Sequence, residues 1–211
     1  MKIDETDYPH LSDEILFNRY TGGDTRAFEV LVQRTKGLVY SLILRYVKIG
    51  SVADEIFQDV FFKVCKNKKL FREAVSFKAW LATICRNTCI DHTRKLKRTL
   101  RTEPIDRGER EDKRNLSEMI PSDEATPDEV AIHRVEDEQM NALLDELPRE
   151  QRETFYMKVV MELTFEEIGD AMKCSTNTAK SRYRYALEAL RGMVKRKRLI
   201  DDTKHKQRLS S

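Results

Sequence analysis

Residues 164–190 read as two helices joined by a short turn at residues 173–175, and no other stretch constrains the chain as tightly. Thr164, Phe165, Glu166 and Glu167 make a capping box, in which the threonine hydroxyl accepts from the backbone of the third helical residue and Glu167 reaches back. Phe165, Ile168 and Met172 give this first helix an inward face, and Ser175 or Thr176 is placed to cap the second. There Ala179, Tyr183, Ala186, Leu187 and Leu190 recur at helical spacing, and Asn177, Thr178, Lys180, Ser181 and Arg184 fall on the opposite face. Lys and Arg pair with phosphate or guanine, Asn addresses adenine, and a helix N-terminus favours phosphate. A cationic face on a lone helix is ordinarily just solvated. Capping box, short turn and cations in series instead predict a helix-turn-helix that enters a DNA major groove.

The rest of the chain is also expected to be helical. Glycine is scarce, with 7 residues in 211, and β-branched runs are absent. Charged residues reach 36% while the net charge is only +3, so opposing local fields are spread along the chain. The N-terminus is acidic and lacks the basic start and apolar core of a secretory signal, and no stretch approaches the roughly 18 consecutive apolar residues of a membrane span. A cytoplasmic protein with no direct membrane insertion is expected. Cys65, Cys85, Cys89 and Cys174 form no Cys-x-x-Cys pair and have no histidine at metal-ligand spacing. They read as small hydrophobes, with no metal and no cofactor expected.

Pro104, Pro121 and Pro127 lie where hydrophobic periodicity fades and acidic residues dominate, which predicts a linker over 99–135. It separates a helical domain at 12–98 from a second at 136–195, followed by a basic tail at 196–211. In the first domain, Ser12 with Asp13 and Glu14 is placed to cap a helix running through Tyr20. Ala27, Val30, Leu31, Val39, Leu42 and Ile43 continue the helical repeat. Residues 51–54 read as a capping-box-like start for the strongest amphipathic stretch, whose stripe is Ala53, Ile56, Phe57, Val60, Phe61, Val64 and Cys65. A further helix begins near Ser76, buries Phe77, Trp80, Leu81, Ile84, Cys85 and Thr88, and runs out into basic residues 94–98. In the second domain Leu143, Leu144 and Leu147 precede a break at Pro148 and a helix over 149–161.

With these segments in order, the chain resembles the extracytoplasmic-function sigma factors of the sigma-70 family over residues 12–195. Residues 53–64 look like the polymerase-binding helix of sigma region 2. Residues 77–94 are similar to its promoter-melting and minus-10 helix, with Trp80, Leu81, Arg86, Asn87, Asp91 and Arg94 as hallmarks. Residues 144–148 with Gln151 and Arg152, and then Ala179, Lys180, Ser181 and Arg182, resemble region 4. The resemblance implies an all-α protein of two small helical domains joined by a flexible acidic linker. Its implied partners are core RNA polymerase, double-stranded and melted promoter DNA, and an anti-sigma factor.

The resemblance also implies roles for particular residues. Glu55, Gln58 and Asp59 would meet the clamp helices of polymerase. An unstacked minus-10 base would sit between the loop from Arg72 to Ser76 and the helix bearing Asn87, held by hydrogen bonds that offset its lost stacking. Arg86, Arg94, Lys95, Lys97 and Arg98 would contact phosphate. Trp80 and Phe77 are read as core residues because their neighbours at helical spacing are apolar. For the minus-35 element, Asn177, Lys180, Ser181, Arg184 and Tyr185 are the groove candidates, with Thr178 and Arg182 on phosphate. Lys173 and Asn177 stand where the family often has glycine, so Lys173 is expected to accept a less relaxed turn conformation, whereas Asn177 is of a type that tolerates left-handed backbone angles better than most. The acidic linker is expected to occupy a basic channel of polymerase or to serve as a plain tether. The rival reading is a helix-turn-helix regulator or adaptor without sigma activity. Catalysis is not expected, since His10, His92, His133 and His205 are scattered and no phosphate-binding loop exists.

Overall fold

The computed structural model describes residues 8–47, 49–72, 75–102 and 140–209. Among these residues every regular element is helical. Four helices build the first unit: α1 (Asp13–Thr21), α2 (Thr25–Ile43), α3 (Gly50–Lys66) and α4 (Phe77–Thr102). After a helical segment at 140–145, the second unit contains α5 (Arg149–Val159), α6 (Phe165–Met172) and α7 (Thr176–Leu209). The predicted linker lies outside the described residues from 103 to 139. Its first residues, 99–102, are still part of α4, and α7 carries helix into the basic tail as far as Leu209.

Local chemistry sets most helix starts. The Ser12 side chain accepts from the Ile15 backbone at 3.3 Å, as the sequence predicts for α1. Asp24 caps α2 by accepting from Ala27 at 3.2 Å, a signal the sequence reading passed over. The expected cap at 51–54 is a correction: α3 begins at Gly50, and Ile49 at its N-cap makes no side-chain hydrogen bond. Ser51 is already inside the helix, and Asp54 instead accepts from the Tyr40 hydroxyl of α2 at 3.0 Å. That carboxylate joins two helices and is therefore withdrawn from capping. The start of α4 is held from outside, because the Phe77 amide donates to the Glu14 carboxylate of α1 at 3.0 Å.

The core of the first unit uses the predicted stripes. Leu16, Phe17, Leu31, Leu42, Ile43, Ile56, Val60, Val64, Phe77, Leu81 and Cys85 are buried. Trp80 is half-buried, with its ring centre 5.3 Å from that of Phe17 and 5.4 Å from that of Phe71. This places it in an aromatic cluster under α1, as its apolar neighbours suggest. Cys85 and Cys89 are buried, and Cys65 and Cys174 partly so. Burial pushes the Cys85 thiol well above its ordinary value, and the neighbouring Cys89 adds to the shift, so the reactive thiolate is suppressed.

The two units pack against each other. A continuous buried cluster runs from Leu81, Ala82 and Cys85 of α4 into Met157, Met161, Leu163, Ile168 and Ala171 of the second unit. A smaller cluster of Leu144, Leu147, Ala186 and Leu190 fastens the 140–145 segment and α5 to the long α7. Polar contacts follow the larger seam. The Tyr156 hydroxyl donates to the Leu38 carbonyl at 2.9 Å, Arg45 donates to the Asn141 side chain at 2.7 Å, and the Arg149 guanidinium lies 4.4 Å from the Tyr46 ring centre. Burial, partly opposed by hydrogen bonding to Ser41, pushes the Tyr156 phenol up to about 12. It therefore remains a donor across the physiological range.

Candidate nucleic-acid interface

The helix-turn-helix forms as its sequence requires. Thr164 accepts from the Glu167 amide at 3.2 Å, and Glu167 accepts in return from the Thr164 amide at 2.7 Å, completing the capping box. Lys173 closes α6 in the left-handed region with φ 54°, so the tight turn is made there without glycine. Asn177 needs no such conformation. It lies inside α7, and positive φ outside glycine occurs only at Glu162 and Lys173 among the described residues.

Ser175 is the residue that caps α7, accepting from the Thr178 amide at 3.1 Å. Its hydroxyl also lies 2.8 Å from the Thr178 hydroxyl, so the threonine assigned to phosphate is held at the helix entrance. One glycine has an essential steric role. A Cβ on Gly169 would stand 2.8 Å from the Cys174 carbonyl oxygen and 3.4 Å from the Thr176 nitrogen, both backbone atoms of the turn. We expect Gly169→Ala to push α6 off the turn and lower stability by about 2 kcal/mol, in the range of an overpacked core. Thermal unfolding of the variant checks this.

The face of α7 that carries the candidate DNA contacts points outward. Asn177, Thr178, Lys180, Arg184 and Tyr185 are exposed, and Ser181 and Arg182 are half-buried. Arg184 lies 5.0 Å from the Tyr185 ring centre and 3.8 Å from Glu188, a contact in which both side chains stay more than half exposed and which competes weakly with phosphate. The inward side of α7 is Ala179, Ala186 and Leu190, with Tyr183 packed on Phe155 and Phe165. Cations on one side and packed apolar groups on the other give a rigid basic surface that a groove can accept.

The first unit presents its candidates less uniformly. Glu55 and Gln58 are exposed on α3, and Asp59, on the same helix, lies 2.7 Å from the His92 ring of α4. His92 is a partner that the sequence reading passed over. Arg72 is exposed in the loop before α4, where residues 73 and 74 lie outside the description, and Ser76 accepts weakly from the Ala79 amide at 3.5 Å. Asn87 is half-buried, while Arg94, Lys95 and Arg98 are exposed on the C-terminal half of α4. The side chain of Lys97 lies outside the described set.

Arg86 stands apart from the other basic candidates. Its Nε lies 3.0 Å from Glu153 of α5, a carboxylate only 1% exposed that is also held by Arg149 at 2.6 Å. The sequence reading missed Glu153, because its partner is 67 residues away and no local pattern links the two. Among the described residues no cluster fit to hold a metal occurs, and no helix is long and apolar enough to cross a membrane.

Residues 31–99 match the family model of sigma-70 region 2, and residues 137–190 match that of sigma-70 region 4. The chain is 30% identical over 187 residues to the RNA polymerase sigma-H factor of Pseudomonas aeruginosa, covering 84% of this chain and 91% of that protein. It is 28% identical over 184 residues to the ECF RNA polymerase sigma-E factor of Escherichia coli strain K12, covering 87% and 95% respectively. Among solved structures, its fold is similar to CnrH in complex with the cytosolic domain of CnrY, with a TM-score of 0.60 and 19% identity over 87% of this chain and 97% of that one. A similar fold occurs in the sigma factor RpoE of Bartonella quintana in complex with the anti-sigma factor NepR, with a TM-score of 0.58 and 20% identity over 82% of this chain and 97% of that one. The sigma-70 region 2 and region 4 matches thus fall on the two helical units of one chain, and the chain belongs to the extracytoplasmic-function branch of the sigma-70 family.

Proposed function

We propose that the chain is an alternative sigma factor that docks on core RNA polymerase, reads the minus-35 and minus-10 elements of a promoter and promotes strand opening. The observation that carries this reading is the outward basic face of α7, Lys180 and Arg184 foremost, joined in one chain to a region 2 unit with its own basic helix end. Arg94, Lys95, Lys97 and Arg98 on α4 serve phosphate, and Asn87 with the loop from Arg72 to Ser76 holds an unstacked base. Binding a base outside the stack offsets the cost of opening the duplex, so no nucleotide hydrolysis is required for melting. The α3 face with Glu55, Gln58 and Asp59 meets polymerase. Such work places the protein with polymerase in the cytoplasm. The similar folds of CnrH and RpoE are known bound to CnrY and to the anti-sigma factor NepR, and an inhibitor of that kind is the natural restraint on this chain.

The purified chain added to core polymerase on genomic DNA should yield transcripts with defined starts. A complete lack of promoter-dependent transcripts would favour a regulator without sigma activity. Lys180→Ala or Arg184→Ala is expected to weaken minus-35 discrimination about tenfold, the effect of losing one base contact. Polymerase association, measured by co-purification, should be unchanged. Equal loss of both would show that α7 is not a dedicated DNA reader.

A further inference from the structure

We propose that His92 is a positioning residue for polymerase docking, one that fixes the Asp59 carboxylate on the outer face of α3. The inference rests on the sigma reading for what α3 meets and on geometry for the rest. Asp59 lies one turn beyond Glu55 on the same face of α3, and its side chain is 47% exposed. The His92 ring reaches across from α4, is only 14% exposed, and has its Nε2 2.7 Å from Asp59 Oδ2. A carboxylate only accepts, so Nε2 carries the hydrogen of this bond. The other oxygen, Oδ1, is left to meet an incoming donor. Neither Glu55 nor Gln58 has such a partner among the described residues, so of the three Asp59 alone is held in one orientation.

A competitor for that carboxylate is close. Lys63 follows Asp59 by one turn of α3, a spacing at which a carboxylate and an ammonium pair on a helix surface. Beside the pair, Lys63, Asp91, Arg94, Lys95 and Arg98 border a cleft of about 320 Å³, where four cations face two carboxylates, Asp59 included. Without the imidazole the Asp59 side chain turns along the helix to Lys63 and leaves the docking face. With it, Lys63 is engaged on α4 instead: its Nζ donates to the Thr88 hydroxyl at 3.1 Å and lies 4.0 Å from Asp91. Beneath these polar contacts Val60 and Val64 of α3 and Cys85 and Cys89 of α4 are buried in one cluster, so the platform that carries the ring does not depend on the pair. A carboxylate already ordered loses less rotational freedom when a polymerase cation binds it.

Association of the full chain with core polymerase, followed by fluorescence anisotropy of the labelled chain, tests this through a mutant cycle, with far-ultraviolet circular dichroism to show that each variant is folded. His92→Ala should weaken association about threefold to tenfold, the cost of ordering one side chain on binding. Asp59→Ala should weaken it at least as much, and adding His92→Ala to that variant should have no further effect. His92→Gln places an amide donor near the position of Nε2 and should restore most of the wild-type affinity, a rescue that a histidine needed only for packing would not show. Unchanged or tighter association of His92→Ala would overturn the proposal, the tighter case showing that the ring competes for Asp59. So would an equal loss with and without the Asp59 carboxylate, since packing alone would then account for it. Wild-type affinity in both Asp59→Ala and Glu55→Ala would instead refute the assignment of this face to polymerase, and the positioning role with it. A wild-type chain that does not associate with core polymerase at all would refute the sigma reading itself.

Discussion

Phe17→Ala is expected to destabilise the first unit by about 3–5 kcal/mol, the cost of emptying a large aromatic site in a close-packed core. The Phe17 side chain is fully buried, and its ring centre lies 5.0 Å from Phe71, 4.9 Å from Phe77, 5.3 Å from Trp80 and 5.8 Å from Tyr20. One residue of α1 thus supports the loop before α4, the first turn of α4 and the only tryptophan in the chain. Several of these pairs are tilted or edge-on, which adds to the area buried. Urea unfolding followed by Trp80 fluorescence should show a lower midpoint with an unchanged slope. Phe62→Ala, at a side chain 67% exposed, should shift the midpoint by less than about 0.5 kcal/mol equivalent. A small effect at Phe17 would mean that the aromatic cluster does not anchor the unit. The functional result should appear in the same variant. Phe71 rests on Phe17 at the edge of the loop that carries Arg72, so melting DNA should suffer before minus-35 binding does.

Why some features were legible and others not follows from how far each interaction reaches along the chain. The α6 capping box was readable because Thr164 and Glu167 satisfy each other within one turn. The stripes of α3 and α4 were readable because burial repeats at the helical period, and Ile56, Val60 and Val64 are indeed buried. The start of α3 was misread because Asp54 answers a hydroxyl on another helix, which a local pattern cannot register. The same reason hid the support of α4 by Glu14 and of Asp59 by His92. Family resemblance supplied the list of candidate DNA contacts from position alone. It could place Lys180 and Arg184 on a face, and the structure shows them exposed, but it could not show that Arg86 meets a carboxylate of the other unit. That contact depends on how two domains meet, which no motif within either one encodes.

Glu153→Ala should cost about 3 kcal/mol of stability and loosen the seam between the two units. The carboxylate is 1% exposed and receives Arg86 at 3.0 Å and Arg149 at 2.6 Å. Taking such a charge out of water is costly, and the pair of guanidinium groups offsets that cost. Removing the carboxylate leaves two cations facing each other beside Tyr46, whose phenol is already pushed up by burial and by the Glu153 charge. Arg149 is 42% exposed and recovers solvent, whereas Arg86 is only 15% exposed and must move to do so. Its escape loosens the packing of α5 on α4. Two measurements separate the components: thermal unfolding reports the loss of stability, and cross-linking of Lys78 to Glu162, 3.8 Å apart across the seam, by a water-soluble carbodiimide reports the loosening. A second change, Arg86→Ala in the Glu153→Ala background, removes the less accessible stranded cation and should restore part of the stability. If it restores none, the two residues do not share an energetic interaction and Glu153 acts only within its own unit through Arg149.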